Sequence, residues 1–275
     1  MTEFLRASTW LRAPPADGGA CSSALFTTTI DPRWLQGRGA FGGLLAAGLL
    51  RSMAALILPG RAPRTLHVHY CASATAGRLQ AEVTLEREGA TMTTTSVRAR
   101  QDGKLVTLAS ATFAQPTSKP DATARWRDAP MPEVPRPAAV LPMPIDSPKM
   151  PAFAQFFEYR FCIGARPYSA STLPARTGGW VRLRESSSID AFTVAALIDS
   201  YPPAVLQRLD TARMSASVNL TVDFHLVSSS LPPDAQFLLA GSSRVGDGGT
   251  TDEQQDLFSE DGVLVASCRQ LIVLL

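Results

Sequence analysis

Two stretches of the chain are apolar at almost every position, and both open on Ala-Phe. Ala40-Phe41 leads into GGLLAAGLL, and Ala191-Phe192 leads into TVAALIDSY. A helix that is apolar on most of its faces must be enclosed by other structure, and the Gly and Ala side chains let that structure come close. The pattern predicts helices over 40–58 and 190–200. The first comes nearest to a membrane span, but Arg51 interrupts it and Pro59-Gly60 ends it, short of the roughly 18 continuous apolar residues a span needs. Downstream of each helix the alternation changes to period 2, which predicts strands. Late in each strand-rich region stands an Asp-Gly pair, Asp102-Gly103 ahead of Lys104-Leu105-Val106 and Asp261-Gly262 ahead of Val263-Leu264-Val265. Asp-Gly between strand-like runs is a hairpin signal.

Between these two similar regions prolines recur from Pro116 to Pro151. Proline removes backbone donors and disfavours helix in the residue before it, so this stretch predicts a linker or an extended surface strap. The expected organisation is an N-terminal domain over 1–115, a proline-rich linker over 116–151 and a C-terminal domain over 152–275. Each domain reads as a strand, a long helix and several antiparallel strands that curl round the helix. Two such units can pair sheet edge to sheet edge and remove two exposed edges. The expected fold class is α+β, a double hotdog.

Composition narrows the chemistry. With 275 residues, 45% apolar and 18% charged, the chain can bury a sizeable core, which excludes wholesale disorder. Lys+Arg 26 against Asp+Glu 24 leaves +2, with the basic residues scattered, so nucleic acid is not an expected partner. Cys21, Cys71, Cys162 and Cys268 lie far apart with no CxxC, which fits neither a disulfide framework nor a metal knuckle. The opening MTEFLRASTW has no apolar h-region, so a soluble, cytoplasmic protein is expected.

Three segments resemble the bacterial acyl-CoA thioesterase II family, the TesB-like double-hotdog thioesterases: Ala40-Phe41-Gly42-Gly43, the strand Ala216 to His225, and the closing hairpin Glu260 to Gln270. The resemblance covers most of the chain and is weakest in the proline-rich linker. It implies hydrolysis of acyl-CoA to a free fatty acid and CoA without cofactor or metal, and a homodimer of double hotdogs. It also implies a site in the C-terminal domain built from an Asp on the central helix, a hydroxyl on the next strand and a Gln near the end of the last. These fall on Asp199, Ser217 and Gln270, with Thr221 as the alternative hydroxyl. Ser replaces the Thr of the compared family member, which keeps the hydroxyl and loses the β-branch. Aligning the two helix openings sets Gly48 opposite Asp199, and aligning the Asp-Gly turns sets Ala111 opposite Gln270, so the first copy lacks two of the three groups. Asp199 would act as general base on a water held by Ser217 and Gln270. Backbone amides at the Gly42-Gly43 helix start would receive the oxyanion, if those glycines do not simply serve close packing. The acyl chain is expected between the halves, along the helices at 44–58 and 195–198, and the CoA phosphates on surface arginines.

Other patterns offer rival chemistry. Gly37 to Gly42 spells GxGxxG, but no buried parallel strand precedes it and no acid follows about 20 residues on, so a dinucleotide site is not expected. His67, His69 and Cys71 share one face of a strand without a fourth zinc ligand. Asp223 and His225 could form the acid/base pair of a hotdog hydratase, and a non-hydrolytic acyl-CoA-binding protein is the second alternative. GxSxG and HExxH are both absent.

Overall fold

The computed structural model describes residues 1–14, 22–115, 126–145, 150–185, 189–225 and 231–275; Cys21 lies outside them. The first half runs α1 (Glu3–Ser8), β1 (Leu11–Arg12), β2 (Ser23–Ile30), β3 (Leu35–Gln36), β4 (Gly39–Ala40), α2 (Gly42–Ala54), β5 (Ala62–Tyr70), β6 (Gly77–Glu88), β7 (Met92–Gln101) and β8 (Lys104–Ala114). The second runs β9 (Phe157–Ile163), β10 (Ala175–Leu183), α3 (Ala191–Leu197), β11 (Ser215–Phe224), β12 (Phe237–Ser243), β13 (Gly246–Asp247), β14 (Thr250–Ser259) and β15 (Leu264–Leu274).

One continuous antiparallel sheet has the order β1-β2-β6-β7-β8-β5-β11-β15-β14-β12-β10-β9, with β13 on β14. Its two halves mirror each other about the β5–β11 seam, where Val68 lies opposite Leu220 and His67 opposite Thr221. This is a double hotdog of the α+β class. The seam pairs two strands that would otherwise expose their backbone groups at an edge. The repeat extends to its irregularities. β5 carries a bulge between Pro63 and Thr65 against β8, and β11 carries one between Ser217 and Asn219 against β15. The register matches Leu66 and Ala111 of the first half to Leu220 and Gln270 of the second.

Both helices are shorter than the apolar pattern predicts. α2 spans Gly42–Ala54, because the chain turns ahead of Pro59-Gly60, and it buries Leu44, Leu45, Leu49, Leu50 and Met53. α3 starts where the Asp190 carboxylate accepts the Thr193 N–H at 2.8 Å, and it stops at Leu197, ahead of Pro202-Pro203. Asp199 therefore lies on the turn after the helix rather than on it. The helices run antiparallel. Arg51 in the last turn of α2 reaches the Asp190 cap of α3 at 3.3 Å and covers the Phe192 ring, while Gly43 at the start of α2 abuts the Ala196 carbonyl near the end of α3. The Asp102-Gly103 pair makes the expected tight hairpin between β7 and β8, both residues at positive φ (49° and 76°).

The described part of the proline-rich segment is an extended strap on the second half. Trp180 donates its indole N–H to the Pro135 carbonyl at 2.8 Å, and Arg160 donates to the carbonyls of Pro137 and Val140 at 3.0 and 2.6 Å. Glu158 holds Arg160 in place and also pairs with Arg182 at 2.8 Å. Beyond the strap, Phe153 stacks on Phe41 with ring centres 3.9 Å apart, and Phe157 meets both rings edge-on. Phe41 caps α2, so this aromatic cluster locks the start of the first half's helix to the second half. Phe41→Ala should cost about 3–5 kcal/mol, because truncating a fully enclosed ring leaves a cavity. A lower urea midpoint at unchanged slope would show it.

Candidate active site

Asp199, Ser217 and Gln270 converge. Gln270 is the hinge of the group: its carbonyl accepts the Ser217 hydroxyl at 2.6 Å, and its amide N–H donates to Asp199 Oδ1 at 2.9 Å. The three come from separate places, the turn after α3 and the neighbouring strands β11 and β15. Simple alternation would put Ser217 on the face opposite Leu220, beside Thr221. The bulge between Ser217 and Asn219 adds one residue and turns Ser217 inward onto Gln270. Thr221 stays outside, with its hydroxyl on the His67 imidazole at 3.3 Å.

The turn that carries Asp199 is held on both sides. Tyr159 donates its hydroxyl to the Ser200 carbonyl at 3.2 Å, Tyr201 donates to the Trp180 carbonyl at 3.0 Å, and the Ser200 hydroxyl closes on the Leu197 carbonyl at 2.6 Å. The carboxyl projects to the start of α2, in the other half of the molecule. A side chain at Gly42 would place its Cβ 2.8 Å from Asp199 Oδ2 and 3.0 Å from the Tyr70 hydroxyl, so only glycine lets the carboxyl approach this helix end. Tyr70 donates to the Gly42 carbonyl at 3.0 Å and fixes that end.

Protein encloses the Asp199 carboxyl, although part of the residue keeps accessible surface. Burial raises its pKa from 3.8 to about 7, against the pull of the Gln270 amide and the Gly43 backbone amide, which favour the anion. The Gly43 amide thus already serves the carboxyl, and the positive end of the α2 dipole points at it. The result is a carboxyl near half-ionisation at neutral pH, bordered by a hydroxyl, an amide and a helix N-terminus. That arrangement can take a proton from a water and hold negative charge beside it.

The rival residues lie elsewhere. Asp223 and His225 are exposed, and His225 bonds Ser267 at 3.0 Å. His67 and Cys71 are also exposed. Among the described residues no three His, Cys, Asp or Glu side chains are grouped to hold a metal. A groove of about 320 Å³ lined by His67, His69 and Arg98 lies on the first half, and a small cavity by Trp10, Leu44 and Leu45; neither is lined by Asp199. At the start of α2 the two helices touch directly, Gly43 against the Ala196 carbonyl.

The comparisons bear on the family and the fold. A family model described as the acyl-CoA thioesterase N-terminal domain matches residues 30–114, and one described as the acyl-CoA thioesterase C-terminal domain matches residues 129–274. The chain belongs to the acyl-CoA thioesterase family. It is a thioesterase, an enzyme of thioester hydrolysis. No curated protein is significantly similar to it in sequence. In fold it is similar to a conserved hot dog protein of unknown function from Alicyclobacillus acidocaldarius (24% identity, TM-score 0.82, covering 100% of this chain and 98% of that one). It is also similar to a tesB protein from Mycobacterium avium subs paratuberculosis (20%, 0.76, covering 99% and 98%). A third is the acyl-CoA thioesterase II TesB2 of Mycobacterium marinum (17%, 0.74, covering 99% and 98%). Among the described residues no helix is long and apolar enough to cross a membrane.

Sequence reading missed Tyr70, which sits one residue past the His67-Val68-His69 alternation and looks like a strand aromatic. It also missed Gln255 and Glu253, polar residues in a strand with nothing local to mark them as buried.

Two outcomes follow. Gly42→Ala should lower thioesterase turnover about 100-fold or more by displacing the carboxyl, with most of the stability retained. The raised pKa also has a sign in folding. Between pH 4 and 7 the unfolded chain releases the Asp199 proton and the folded chain keeps it, so this group's contribution is full below pH 4 and declines as pH rises to about 7. Asp199→Asn removes that decline, and unfolding free energies should favour the variant by on the order of 2–4 kcal/mol more at pH 8 than at pH 4.

Proposed function

We propose that the chain hydrolyses acyl-CoA thioesters to a free fatty acid and CoA, with Asp199 as general base. The observation that carries this reading is the single amide of Gln270 bonded at once to the Ser217 hydroxyl and the Asp199 carboxyl. A water seated against these three groups gives a proton to Asp199 while its oxygen attacks the thioester carbonyl carbon. The carbonyl oxygen, now negative, rests at the start of α2, where the Gly42 amide is the candidate donor, the Gly43 amide being taken by Asp199. As it collapses, the C–S bond breaks, the sulfur leaves with the electron pair, and Asp199 returns the proton to the thiolate. A thioester is a good enough electrophile that no acyl-enzyme is needed. General-base help of about 10²–10⁴-fold and positioning supply the rate.

In this reading the C-terminal half is catalytic and the N-terminal half is a degenerate copy that lends its helix end. Gly48, Pro63 and Ala111 stand there for Asp199, Ser217 and Gln270, and Gly48 leaves room for the Trp10 indole. By resemblance the protein works as a cytoplasmic homodimer of double hotdogs, and multi-angle light scattering at micromolar concentration would read the dimer mass directly.

Thiol release from a panel of acyl-CoAs is the test. Asp199→Asn should lose about 100-fold or more in kcat, and Ser217→Ala and Gln270→Ala about 10-fold or more, each with a near-normal melting temperature. Because Asp199 must be ionised to act as base, kcat/KM should rise with pH and level off above about 7. Near-full rate in Asp199→Asn, with hydration of an enoyl-CoA abolished in His225→Ala, would favour the hydratase reading instead.

A further inference from the structure

The Gln270 amide has a second partner. Besides Asp199, its N–H group donates to Gln255 Oε1 at 3.2 Å, inside the core. Gln255 in turn lies beside Glu253, the two side chains meeting over Gly241, and both oxygens of Glu253 accept the Ala204 N–H, at 3.0 and 3.1 Å. Ala204 follows Pro202-Pro203 and ends the segment that leaves Asp199. These contacts close a ring: from Asp199 along five residues of backbone to Ala204, across to Glu253, on to Gln255 packed beside it, on to Gln270, and back to Asp199.

Directionality makes this ring specific. Ser217 needs an acceptor from Gln270, and Asp199 needs a donor, so the amide must present its oxygen to one and its nitrogen to the other. Gln255 enforces that choice. Its oxygen takes the remaining Gln270 N–H, which turns its own nitrogen away from Gln270. A flipped Gln255 would set donor against donor at Gln270. Glu253 and Gln255 are 1% and 3% exposed, so water cannot substitute.

The first half shows that the fold itself does not require these groups. In β14 and β15, Glu253 lies opposite Gln270 and Gln255 opposite Cys268. The matching positions in β7 and β8 pair Thr95 with Ala111 and Val97 with Ala109. A buried acid is costly, and it occurs only in the half that carries Asp199, Ser217 and Gln270.

We propose that Gln255, anchored by Glu253, is a positioning residue for hydrolysis: it holds the Gln270 amide in the one orientation that serves both Ser217 and Asp199. This rests on the reading of the three-residue site given above.

Gln255→Met keeps the volume and removes both hydrogen-bonding atoms. It should lower kcat about 10-fold or more with KM within about twofold. Combined with Gln270→Ala it should cost nothing further, because Gln255 acts only through that amide. Unchanged kcat in Gln255→Met would overturn the inference, as would a loss that multiplies in full with that of Gln270→Ala, the mark of a general structural role. Glu253→Gln, read by the same cycle, covers the case in which Gln255→Met does not fold. It should cost several-fold in kcat alone and nothing in the Gln270→Ala background, and an unchanged kcat would overturn the anchoring role. Full rate in Gln270→Ala by itself would instead overturn the three-residue site, and this inference with it.

Discussion

The structure depends on a carboxyl held out of water at the place where two helices from different halves meet. Burying Asp199 is unfavourable for its charged form, and the Gln270 amide and the start of α2 offset only part of that cost, which leaves its pKa raised to about 7. The same balance that weakens the fold near neutral pH makes the group a usable base there. Tyr159 and Tyr201 hold the turn, and Gly42 provides the space, so the carboxyl stays in place although it is not fully neutralised.

The duplicated architecture explains how one half can carry this burden. Each half alone would leave a sheet edge open beside its helix. Joined at β5 and β11, the two become one sheet with antiparallel helices packed end to opposite end. The end of α3 then lies against the start of α2, so a carboxyl from one copy meets the Gly43 amide and the helix start of the other. The copies are free to diverge once they share a core. In the first, small and apolar residues such as Gly48, Ala111 and Val97 fill the positions that are polar in the second, and Trp10 packs over Gly48. The strap contributes rigidity: Glu158 orients Arg160, Arg160 and Trp180 hold the strap carbonyls, and Phe153 beyond them stacks on the residue that caps α2.

Much of this was legible along the chain. The two apolar stretches, the Asp-Gly pairs and the proline-rich interval are local signals, because helix enclosure, glycine's turn geometry and proline's backbone restriction act within a few residues. They defined a double hotdog of the α+β class and the repeat within it. The resemblance then pointed to Asp199, Ser217 and Gln270. Helix ends were less legible: Pro202-Pro203 stops α3 at Leu197, so Asp199 sits on a turn rather than in the helix.

Tertiary structure alone decided which side chains face one another. Ser217 has the parity of Thr221, and only a bulge against β15 turns one hydroxyl inward and leaves the other on His67. Glu253 and Gln255 read as ordinary polar residues of a strand until pairing with β15 sets them beside Gln270. Local sequence determined the elements because their causes are short-range. The site required register, and register is settled by pairing between strands far apart in the chain, where a shift of one residue moves every side chain to the other face.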